Sequence, residues 1–105
     1  MPKQLPVREE QSMKKYNPGQ LVMTRDVNDM MTNNEEFASH VRLSVIRHMA
    51  GDWGDVSDGD RVANELALQE GDRLFSVYIK EGLPKLWIIT EWDRSVTTAL
   101  FPDEY

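Results

Sequence analysis

At Gly71 the hydrophobic period of this chain changes, and that change constrains the fold more than any other feature. From Thr24 to Glu70, apolar residues recur every three or four positions, as helices with one buried face require. Val27, Met30 and Met31 mark a short amphipathic helix. Asn34 is placed to cap a longer one, with Glu35 and Glu36 at its positive end. Phe37, Val41, Val45, His48 and Met49 fall on one stripe, Leu43 and Ile46 widen it, and Gly51 is placed to end it. Ser57 opens a third helix with Asp60 at capping-box spacing. Its expected apolar face is Val62, Ala63, Leu66 and Ala67, and Gly71 is its stop.

Beyond Gly71 the period is two. In "RLFSVYIK", Phe75, Val77 and Ile79 face one way and Leu74, Ser76 and Tyr78 the other. "EGLP" turns the chain, and "KLWIITEW" is apolar on both faces from Leu86 to Ile89, the mark of a central strand. "DRS" is short enough for a hairpin, and the β-branched "VTTALF" supplies the next strand, stopped by Pro102. "LVMTR" (21–25), following the turn chemistry of "YNPGQ", reads as a weak first strand. The expected class is α+β: two or three helices packed on a small antiparallel sheet, with a C-terminal three-stranded meander.

With 105 residues, one core is the limit. Residues 16–105 are the expected domain. Residues 1–15 mix proline, glutamine and charge, and read as a flexible N-terminal tail. There is no cysteine, so disulfides and thiolate metal sites are excluded. The opening "MPKQLPVREE" has no apolar run of a secretory signal, and no segment approaches the roughly 20 apolar residues of a membrane span. A soluble protein of the bacterial cytoplasm is expected. Net charge is −6, made of +2 over residues 1–15 and −8 over the remaining 90. Phosphate contacts need a basic surface, so direct nucleic-acid binding is disfavoured and a basic protein partner favoured.

Catalytic patterns are missing. There is no G-x-S-x-G elbow, no P-loop and no G-x-G-x-x-G. His40 and His48 are eight apart on one helix and lack the i, i+4 spacing of a zinc pair. No cofactor or metal is expected, and the leading expectation is a protein without enzymatic activity. The enzymatic alternative is a small metal-dependent hydrolase using Asp52, Asp55, Glu91 and Asp93.

The most acidic stretch is "GDWGDVSDGD" (51–60), with four aspartates and no basic residue. Asp58 and Asp60 have a structural explanation as first-turn residues behind Ser57. Trp53, between two Gly-Asp steps, reads as a lid on the core or as an interface anchor. A second tryptophan–acid step, "EWDRS", lies at 91–95. The expected partner contacts are therefore Asp52, Trp53, Asp55, Asp58 and Asp60, together with Trp92, Asp93 and Arg94.

"GDWGD" at 51–55, "NELALQEG" at 64–71 and "WIITEWDRSVTTALFPDEY" at 87–105 resemble a family of small proteins carried on bacterial plasmids and phages. Its members read G-D-W-G-D, then a helix with Asn and Ala-Leu, then W-I-I-T-E-x-D-R-S-x-T-T-x-L-x-P-x-E-Y. The likeness covers roughly residues 19–105. Members carry the labels "plasmid-related protein" and "type I restriction endonuclease subunit M". A methyltransferase subunit needs a methyl-donor domain and an N-P-P-Y-type motif, and "YNPGQ" is not one. Similar small acidic proteins of mobile elements are associated with anti-CRISPR activity. The resemblance thus implies an inhibitor of a host defence nuclease, with Cas9 or its guide-RNA complex as first candidate. The alternative is a non-enzymatic plasmid or phage accessory protein that binds another basic protein.

Overall fold

A computed structural model describes residues 15–105. Apart from Lys15, the expected tail at 1–15 lies outside the described residues. Lys15 itself donates its backbone N–H to Met49 O (2.9 Å).

The element order is β1 (Gln20–Met23), α1 (Arg25–Asn33), α2 (Glu35–Met49), α3 (Asp58–Glu70), β2 (Leu74–Tyr78), β3 (Leu86–Thr90) and β4 (Val96–Leu100). A 3-10 turn follows at Pro102–Glu104. Each helix starts on a side-chain cap that relieves an unpaired N–H of the first turn. Thr24 accepts from Val27 N, Asn34 from Phe37 N and Ser57 from Asp60 N. Gly71 closes α3 in the left-handed conformation, with φ 79°.

The sheet runs β1-β4-β3-β2. β2, β3 and β4 form the expected antiparallel meander. β1 pairs with β4 in parallel, so the sheet is mixed rather than antiparallel. The three helices together with β2 and β3 lie between β1 and β4, the long connection that this parallel pair needs.

Helices α1 and α2 cover one face of the sheet. Val27, Phe37, Val41 and Val45 pack there with Tyr78, Leu86, Ile88 and Ala99. A second cluster of Trp53, Val56, Ala67, Leu74 and Val77 fixes α3 beside β2. The alternation read from the sequence holds: Leu74, Ser76 and Tyr78 pair with Thr90, Ile88 and Leu86.

Two expected faces are corrected. Val62 and Leu66 of α3 are each more than half exposed, whereas Asn64 and Ala67 are buried. The Asn64 amide bonds the backbone of Phe75 on both sides, with Nδ2 donating to O (2.7 Å) and Oδ1 accepting from N (3.0 Å). Those two bonds set the rotation of α3 and turn its larger apolar residues outward. Leu43 and Ile46 of α2 are also more than half exposed, because the buried face is made of Phe37, Ala38, His40, Val41, Ser44, Val45 and His48 and does not reach them.

His48 anchors a buried polar chain between α2 and the sheet. Its Nδ1 lies 2.6 Å from Ser76 Oγ and its Nε2 2.9 Å from Thr90 Oγ1. Thr90 Oγ1 in turn meets Thr97 Oγ1 (2.7 Å), which donates to Pro18 O (2.7 Å). Burial pushes the imidazole pKa down to about 3. The unfolded chain therefore binds a proton that the folded chain refuses as pH falls below about 6.5. Stability is full above that pH and is lost toward pH 3, at up to about 1.4 kcal/mol per pH unit. His40, whose pKa is also lowered chiefly by burial, adds a loss of the same sign. Urea titrations at pH 7, 6 and 5 should show His48→Gln to be destabilised overall yet less pH-dependent than the parent. Equal slopes in the two proteins would refute the assignment.

Candidate partner-binding surface

The "GDWGD" segment forms the outer border of β2. Gly54 makes an isolated parallel bridge with Val77. Asp55 N donates to Val77 O (2.6 Å), and Val77 N to Trp53 O (3.2 Å). One position further, the Asp55 carboxylate accepts from Ile79 N (2.9 Å). Asn64 already occupies both backbone groups of Phe75. Residues 75, 77 and 79 are the alternate positions whose backbone groups point away from the sheet at an edge strand. Three separate devices thus close that edge.

Each member of the segment has an internal task. Asp52 Oδ2 accepts from Arg47 Nε (2.8 Å), and Oδ1 accepts from Arg47 Nη2 (3.2 Å) and Gly54 N (3.1 Å). The Arg47 guanidinium holds the Asp52 carboxyl below its usual range. The Asp52 carbonyl accepts from Tyr78 OH (2.6 Å). Trp53 is 1% exposed. Its ring packs edge-on against His48 (5.6 Å between centroids), and its Nε1–H donates to Glu65 Oε2 (2.8 Å). Trp53 is a core residue and not an interface anchor. Asp58 and Asp60 are exposed in the first turn of α3.

At the β3–β4 turn, Asp93 Oδ1 accepts from Ser95 N (3.0 Å) and Ser95 Oγ (2.7 Å), and these bonds lower its pKa. Arg94 sits at φ 61°, unusual for a side-chain-bearing residue. Its guanidinium reaches inward, donating from Nη2 to Ala67 O (2.9 Å) and from Nη1 to Asp72 O (2.6 Å), Glu91 O (3.1 Å) and Trp92 O (3.2 Å). A cation at the negative end of α3 is where the helix dipole favours one. Arg94 therefore clamps the turn to α3 and is not available as an outward contact. Trp92 is 66% exposed.

The two tryptophan–acid steps do not meet. Gly54 and Asp55 stand beside Val77 and Ile79, while the Trp92 turn follows Thr90, which pairs with Leu74. About 13 Å of strand separates the ends of β2. The same separation parts Asp52 and Asp55 from Glu91 and Asp93, so the four carboxylates proposed for a hydrolase are not brought together. Among the described residues no group of three or more His, Asp or Glu is placed to hold a metal.

The sheet face turned away from α1 and α2 carries an aromatic cradle that sequence periodicity did not single out. Phe75 and Trp87 meet edge to face (4.9 Å), as do Trp87 and Tyr105 (5.8 Å). The Arg73 guanidinium lies over the Tyr105 ring (5.2 Å) and donates to its hydroxyl. Asp60 stands at the rim of this hollow. The signal was present in the alternation of Phe75 with Val77 and of Trp87 with Ile89, but nothing in the sequence brings Tyr105 to them.

No family model, curated protein or solved structure matches this chain.

Proposed function

We propose that this protein is a non-enzymatic inhibitor encoded on a mobile element, which binds Cas9 or its guide-RNA complex through an acidic surface. The observation that carries the reading is the state of the carboxylates. Among the described residues, only Glu35, Glu36 and Asp52 have a cationic side chain within 4.0 Å. A surface of unpaired carboxylates presents the charge that a nucleic-acid channel is built to receive. Asp58, Asp60 and Trp92 are the contacts this reading retains: all three are exposed and, unlike the likewise exposed Asp52, Asp55 and Asp93, their side chains are not engaged by neighbours among the described residues. Asp52, Asp55, Asp93 and Arg94 support it by holding their loops in place. The resemblance to plasmid- and phage-borne proteins supplies the choice of partner.

Co-expression with several Cas9 orthologues in a plasmid-interference assay tests the proposal. Interference should fall at least tenfold with one orthologue, and the protein should co-purify with it. Asp58→Asn with Asp60→Asn should restore interference without lowering the melting temperature by more than a few degrees. Full interference by every orthologue, with no co-purification, ends the reading. Recovery of a different basic protein from a plasmid-bearing host would transfer the surface to an accessory role.

A further inference from the structure

Two adjoining hollows of about 420 and 460 Å³ lie between α1 and the end of β4, and share Met30 and Phe101. One is walled by Pro84, Lys85, Pro102 and Asp103, the other by Asp26, Asp29 and Asn33. Met30 and Phe101 form the saddle between them, and both are only half-buried. Methionine is an adaptable wall that refits around different apolar side chains.

The groove is held in shape from below. Thr24, which caps α1, donates its hydroxyl to Glu104 Oε1 (2.9 Å), and the same oxygen accepts from Phe101 N (2.8 Å). Glu104 therefore latches the 3-10 turn to the start of α1. Phe101 is further fixed by Phe37, at 5.7 Å between ring centroids. Lost side-chain freedom is a large cost of association, and a pre-set groove reduces it.

Charge states what the groove fits. Asp26, Asp29 and Asp103 border it, and none has a cation within 4.0 Å among the described residues. Asp26 and Asp29 are three residues apart on α1, about 4.5 Å along its axis. Among the described residues that line it, Lys85 at the Pro84 end is the single opposing charge. An apolar saddle inside an acidic border is complementary to a basic segment with one apolar residue among its cations.

We propose that the Met30–Phe101 groove docks a basic segment of a protein partner, with an apolar anchor on the saddle and cations against Asp26, Asp29 and Asp103. This deepens the proposed function, resting on its basic partner but not on the partner being Cas9. The test uses the full isotope-labelled chain and a synthetic helical peptide of leucine and lysine, followed by NMR. Saturable shifts should centre on Met30, Phe101 and the three aspartates. Combining Asp26→Asn, Asp29→Asn and Asp103→Asn should weaken binding at least tenfold while leaving the rest of the spectrum unchanged. A peptide with its leucines replaced by serine should lose affinity by a similar factor.

Shifts centred elsewhere, equal affinity of the serine peptide, or no saturable binding would each overturn the proposal. So would a groove filled by a second copy or by residues 1–14 of the same chain, read from concentration dependence and nuclear Overhauser contacts before peptide is added. Because no Cas9 is present, failure here and failure of the interference assay are separate results.

Discussion

Trp53→Ala should cost about 3–5 kcal/mol of folding stability, the largest loss expected from any single truncation in the acidic loop. Trp53 is among the largest fully buried side chains, and it joins α2, α3 and β2 through His48, Glu65 and Val77. Its removal opens a void under the loop and leaves the Glu65 carboxylate without its donor. At this size each kcal/mol shifts the melting temperature by about 4–8 °C, so the variant should melt tens of degrees early. Trp53→Phe keeps most of the ring contact and loses the indole N–H bond, and should cost only about 1–2 kcal/mol. Thermal and urea unfolding of the pair separates packing from hydrogen bonding. A loss below about 1 kcal/mol in Trp53→Ala would refute the core assignment.

Gly54→Ala should cost roughly 3 kcal/mol, a large effect for one added methyl group. Gly54 sits at φ 74°, where an L side chain is strained. A Cβ there would overlap the Val77 carbonyl and come within 2.7 Å of the Tyr78 ring. The segment must then leave β2, losing the bonds between Asp55 and Val77 and between Val77 and Trp53. Gly71→Ala is the control: φ is similar (79°), but nothing lies within 4 Å of the added carbon. It should cost about 1 kcal/mol. Hydrogen exchange at the Asp55 and Val77 amides should accelerate in Gly54→Ala and not in Gly71→Ala. Equal melting temperatures for the two variants would contradict the edge assignment.

Local chemistry explains what the sequence disclosed. The Asn34 and Ser57 caps, the Gly71 stop and the change of period are decided within a turn or two of chain, and all four hold. The meander follows because its connections are short. What escaped is long-range. The parallel pairing of Gln20–Met23 depends on residues more than seventy positions away. The facing of α3 is decided by one buried asparagine, against the weight of Val62 and Leu66. "GDWGD" lacked a local structural need because its need is not local: its partners are Val77, Tyr78 and Ile79. Asp58, Asp60 and Trp92, expected as partner contacts, are exposed, but the Met30–Phe101 groove was not legible, since it joins α1 to the far end of the chain.

The blocked border of β2 also limits how copies of this molecule can associate. Among the described residues, β1 is the one outer strand with nothing paired beyond it. An object with a single adhesive end joins once and stops, whereas two such ends would polymerise. Among the described residues, backbone pairing between copies can use only β1 and would close a two-fold pair. Opening the sealed side, as Gly54→Ala is expected to do, should add a second adhesive edge and let copies chain, visible as growth of light scattering with concentration.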